Sequence, residues 1–129
     1  MKITFEKIRN LSLIYIKLRE YNGKVKTIQD TMCELLFDKD NNWTGINIFN
    51  DSKCCGEFIL PTVKSIRNIN IQQNDEVVTI LFNKITNTYS KREWICNVDY
   101  NENEFLGIEL ILKDFNCNTK VIELFTIFR

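Results

Sequence analysis

Residues 99–110 read Asp99-Tyr100-Asn101-Glu102-Asn103-Glu104-Phe105-Leu106-Gly107-Ile108-Glu109-Leu110, and the stretch 62 residues earlier reads Phe37-Asp38-Lys39-Asp40-Asn41-Asn42-Trp43-Thr44-Gly45-Ile46-Asn47-Ile48. The offset lays Gly107 on Gly45, Phe105 on Trp43 and Ile108 on Ile46. Each stretch is a run of turn formers that opens into alternating apolar and polar residues, the pattern of a turn feeding a strand. The match continues outward. Residues 77–82 (Val-Val-Thr-Ile-Leu-Phe) lie over residues 13–18 (Leu-Ile-Tyr-Ile-Lys-Leu), and residues 94–98 precede the second turn as residues 32–37 precede the first. Two copies of one supersecondary unit are the simplest account. A meander of a few strands leaves one face unburied, and a second copy covers it.

Composition agrees with strands. The chain of 129 residues has no alanine, the best helix former, and draws its apolar content from residues such as Ile, Val, Phe and Tyr, which suit pleated surfaces. Residues 11–18 alternate with apolar side chains on both faces, then Tyr21-Asn22-Gly23 offers the positive φ of a tight turn. A return strand through residues 25–28 is expected, followed by a second hairpin around the acidic turn at residues 38–42. Between the copies, residues 59, 63, 66 and 69 are apolar at helical spacing, with Pro61 tolerable in a first turn, although Ile66, Ile69 and Ile71 also fit a strand. Residues 121–128 alternate again and read as a final strand.

The fold expected is mainly β: two repeated antiparallel meanders packed as a sandwich or barrel-like sheet, with a short helix or turn between them. One domain is the natural size for 1–129. Repeat A covers about 1–50, the linker about 51–74 and repeat B about 75–129.

The first copy, K-I-T-F-E-K-I-R-N-L-S-L-I-Y-I-K-L, then L-L-F-D-K-D-N-N-W-T-G-I-N-I, resembles a bacterial family of short, uncharacterised β-repeat domains. The second copy carries the family's closing strand in Phe105-Leu106-Gly107-Ile108-Glu109-Leu110-Ile111-Leu112. The resemblance covers nearly all of residues 1–50 and about 75–112, and it rests on strand alternation and turn chemistry. It departs at Leu11-Ser12, where the family has D-A, and at Asn42 and Glu104, where a turn glycine is usual. It implies a β-rich fold and brings no catalytic residue with it.

What the chain lacks narrows function. Without histidine there is no imidazole base, no Ser-His or Cys-His nucleophile pair and none of the commonest zinc ligand. Four glycines, at 23, 45, 56 and 107, match no phosphate-cradling motif. The D-x-D of Asp38 and Asp40 lacks the glycine and distal glutamate of a calcium loop. Five cysteines (33, 54, 55, 96 and 117) make no C-x-x-C pair and read as reduced thiols. A thiol at Cys54 or Cys55, beside Lys53, lacks a histidine partner. Seventeen basic residues balance seventeen acidic ones, so no net charge draws the chain to nucleic acid or anionic lipid. Lys91, Arg92 and Trp94 form the only local candidate for nucleic-acid contact. No metal or other cofactor is expected, and neither is enzymatic activity.

The amino terminus has no secretory signal pattern and no stretch approaches the ~18 apolar residues of a membrane span, so the expected location is the cytoplasm. A binding protein is the most economical reading, with the general character of the immunity proteins that neutralise a bacterial toxin in contact-dependent growth inhibition. Asp38, Asp40, Trp43, Asp99, Glu102 and Glu104, gathered on the two matched turns, are the expected contacts with a basic partner surface. As alternatives, Trp43 and Phe105 are core plugs, and the protein is a self-associating or small-ligand-binding β module, including a homodimer.

Overall fold

A computed structural model describes residues 1–9, 11–50, 69–82, 87–102 and 104–113. The described residues form eight strands and no helix: β1 (Lys2–Ile8), β2 (Leu11–Lys17), β3 (Lys26–Phe37), β4 (Trp43–Phe49), β5 (Asn70–Gln73), β6 (Val77–Leu81), β7 (Ser90–Asn101) and β8 (Glu104–Lys113). All belong to one antiparallel sheet, curled as a half-barrel, in the order β1-β2-β8-β7-β3-β4-β6-β5. The expected mainly β, barrel-like sheet is present. Among the described residues no helix is long and apolar enough to cross a membrane.

The meander is not. Asn22-Gly23 does not join a hairpin, because β2 pairs with β1 and β8 while β3 pairs with β7 and β4. Gly23 does take a positive φ of 108°, but in a crossover that carries the chain past β8 and β7. Asn-Gly supplies local conformation, whereas pairing is decided by which apolar face a strand can complete. The return strand and the segment after it are one strand, β3, irregular between Ile28 and Thr31, where Asp30 has a φ of 59°. β5 occupies Asn70–Gln73, within the expected linker. Cys54, Cys55 and Cys117, the linker helix as far as residue 68 and the final strand at 121–128 lie outside the described residues.

The strand order reads the same after exchanging β1 with β5, β2 with β6, β3 with β7 and β4 with β8. The two halves therefore meet about a pseudo-two-fold axis, and it passes through the β3–β7 pair at Met32 opposite Ile95. Each half lends its second strand to the other. Ile16 faces Ile108 as Ile80 faces Ile46, and the Leu18 amide donates to Leu106 O (2.8 Å) as the Phe82 amide donates to Thr44 O (2.9 Å). The chain match and the strand match differ by one residue in β7. Cys33 faces Ile48 while Cys96 faces Leu110, so Cys96 is the counterpart of Cys33 and Tyr100 that of Phe37.

Alternation puts one set of side chains on the core face. Ile14, Ile16, Cys33, Leu35, Ile46, Ile48, Val78, Ile80, Cys96, Val98, Ile108 and Leu110 are all buried there. Burial of a side chain of this size contributes about 1.5–3 kcal/mol, so this face supplies much of what holds the curled sheet together.

Candidate functional site

The two acidic turns end up at opposite ends of the molecule. β3 runs from Lys26, beside Tyr100, to Phe37, beside Ser90, so the 38–42 turn and the Glu102 turn are separated by the length of a 12-residue strand. At ~3.3 Å per residue that is about 40 Å. The pseudo-dyad produces this separation, because it turns one copy end over end relative to the other. A single partner surface formed by both turns is not available.

Taken singly, the expected contacts divide. The Asp38 carboxylate accepts from the Asp40 amide (2.9 Å), the Asn42 amide (2.8 Å) and the Asn42 side-chain amide (3.1 Å), so it organises its own loop. Those bonds, the Asn42 backbone bond foremost, hold its carboxyl below the usual carboxylate range. Asp40 and Glu102 are exposed at the turn tips. Trp43 is fully buried, edge-on to Phe82 with ring centroids 4.6 Å apart, and Phe105 is fully buried in the matching place. Both are core plugs, so Trp43 presents no surface to a partner. Glu104 is ion-paired with Arg19.

Asp99 is structural as well. It accepts from Tyr15 Oη (2.8 Å) and Thr27 Oγ1 (2.6 Å), and so ties β2, β7 and the start of β3 together across the path of the crossover. Burial first, then the bond to Asp99, push the Tyr15 phenol far above its usual range. Tyr15 lies over Gly107, where a Cβ would collide with the phenol ring. Of the basic candidates, Lys91 and Arg92 are neighbours in β7 and so point to opposite faces, and the Trp94 indole donates to Ile111 O (3.2 Å). Arg92 and Trp94, two residues apart, share a face from which Lys91 points away.

What sequence reasoning missed is the outer face at the pseudo-dyad. Met32 and Ile95, opposite each other on the central strands, are 40% and 53% exposed. Beside them a groove of about 530 Å³ is lined by Met32, Ile95, Ile111, Asp30, Glu93 and Glu109, among others. Asp30 and Glu93 are exposed and stand as dyad counterparts on either side of the apolar pair. Flanking them, the Asn97 amide group donates to Glu109 (3.1 Å) and the Asn47 amide group donates to Glu34 (3.2 Å), the same cross-strand bond with acid and amide exchanged. The signal was present as the polar-apolar reversal at Met32 and Ile95, apolar side chains on the face that alternation assigns to solvent.

Among the described residues no cluster of acidic, cysteine or histidine side chains is arranged to hold a metal ion. Compared with models of protein families, with curated proteins and with solved structures, the chain matches none.

Proposed function

We propose that this protein is a non-enzymatic binding protein that neutralises a cognate bacterial toxin in the cytoplasm, as immunity proteins of contact-dependent growth inhibition do, by covering the toxin's active site. The observation that carries the reading is the exposed Met32–Ile95 pair, set in a groove and ringed by carboxylates on the sheet's outer face. Apolar side chains held open at the centre of a sheet face, with a polar rim, have the anatomy of a protein-binding patch. A sheet face is also rigid, so little ordering cost is added on association. The contacts are therefore assigned to this groove in place of the two turns.

The test is co-expression with the product of the neighbouring gene. Protection of the cells from that product, together with a stable complex of the two purified proteins, is the expected result. A neighbouring product that is harmless alone, or that kills equally in the presence of this protein, overturns the reading.

A further inference from the structure

We infer that the outer-face groove receives a cationic segment of a protein partner, bearing arginine or lysine around one apolar side chain, an inference that rests on the binding role proposed above. Three features of the groove fix this chemistry. Among the described residues its lining contributes Asp30, Glu93 and Glu109 and no lysine or arginine. The ion pairs found among the described residues, Lys17–Glu20 and Arg19–Glu104, draw on none of these carboxylates. Asp30 and Glu93 flank the apolar pair from opposite sides, so a side chain seated over Met32 and Ile95 brings its neighbours within reach of a carboxylate on either side.

Other occupants fit less well. A nucleic-acid backbone meets carboxylates where it needs cations. A second copy docked face to face about the dyad sets Asp30 and Glu93 against their own equivalents, and like charges brought together at an interface are costly. A guanidinium suits the site best, because its fork matches a carboxylate and its flat face tolerates apolar neighbours.

The probe is a fluorescent 12-residue peptide alternating arginine and leucine, with a glutamate-leucine peptide as its counterpart, titrated by anisotropy and mapped on the methyl resonances of the full-length protein. The arginine peptide is expected to bind, the glutamate peptide not, and the Met32 and Ile95 methyls to shift. The double variant Glu93→Gln/Glu109→Gln is expected to weaken binding about tenfold or more, and Asp38→Asn/Asp40→Asn to leave it unchanged. Equal loss in the turn variant, shifts confined to other methyls, or a dimer in sedimentation that Ile95→Lys abolishes would each overturn the assignment. Ile95 is more than half exposed, so Ile95→Lys is expected to keep the wild-type fold by circular dichroism. In the co-expression assay, protection by wild type and equally by Ile95→Lys leaves the toxin reading standing and removes the groove. Peptide binding at the groove without protection by wild type keeps the groove and removes the toxin reading.

Discussion

Gly45 and Gly107 hold matched places in β4 and β8, yet they are glycine for different local reasons. At Gly45 a Cβ would strike the Ile80 carbonyl oxygen, a backbone atom held in the β4–β6 ladder; at Gly107 it would strike the Tyr15 side chain. A side chain can yield where a ladder cannot. Gly45→Ala is therefore expected to lower the unfolding free energy by about 2–3 kcal/mol, near the top of the usual overpacking range, and Gly107→Ala by less. Removing the phenol oxygen relieves part of the second clash, so Tyr15→Phe/Gly107→Ala is expected to be more stable than the sum of its single variants, measured by urea denaturation.

Tyr15 also gives the molecule a base-side limit. Its folded-state pKa is raised above the usual 10.0, so the unfolded chain releases the phenolic proton first. The corresponding stabilisation is fully present below pH 10 and declines as pH rises toward the folded value, by up to ~1.4 kcal/mol per pH unit for one proton. Tyr15→Phe is expected to flatten the fall in denaturation midpoint above pH 10; an unchanged slope contradicts this. On the core face Cys33 and Cys96 are both buried, and the neighbouring Cys33 thiol first, then burial, pushes the Cys96 thiol above its usual range. Both are expected to resist a disulfide-exchange reagent until the protein unfolds, with labelling rates that follow the unfolding rate.

Among the elements, the two acidic turns show how alike sequences make unlike loops. The first leaves five residues between Phe37 and Trp43; the second leaves four between Tyr100 and Phe105, with Asn101 pairing Glu104 as well. The first takes its path from a side chain, the Asp38 carboxylate. Asp38→Ala is expected to collapse the dispersion of the Asp40 and Asn42 amide resonances and to lower the thermal midpoint, leaving the β7–β8 amides in place. Because the Asp38 carboxyl is held below its usual range, its contribution is present above that range and is lost on acidification; the alanine variant loses that part of the acid dependence.

These elements were legible to different depths. Alternation in β2, β4, β6 and β8 and the turn formers at 38–42 located strands and one hairpin, because period and turn chemistry are local. The partner of β2 was not local, and Asn22-Gly23 pointed to the wrong neighbour. Trp43 was legible as a plug or as an anchor, and only burial separates the two. The groove required knowing that Met32 and Ile95 stand opposite each other, although 63 residues separate them in the chain.

At the scale of the whole molecule, neither copy is self-sufficient. Within residues 1–50, β1–β2 and β3–β4 are two hairpins that do not pair with each other, and β2 finds its second neighbour in β8 of the other copy. Fragment 1–66 is expected to be disordered alone by circular dichroism, as is fragment 67–129, and the equimolar mixture to recover the sheet spectrum. A folded fragment 1–66 contradicts the strand exchange.

The strand exchange about Met32 and Ile95 is the arrangement of an intertwined dimer carried on one chain. Two separate molecules of such a unit would have to meet before either could complete its sheet, and their folding would depend on concentration. Tethering the halves makes that encounter intramolecular, at an effective concentration set by the connecting segment. Covalent union also breaks an obligation that identical subunits cannot escape, under which every substitution appears twice. At the paired sites Glu34 and Asn97 the chain keeps the acid on one side and the amide on the other, so its outer face can hold one partner in one orientation.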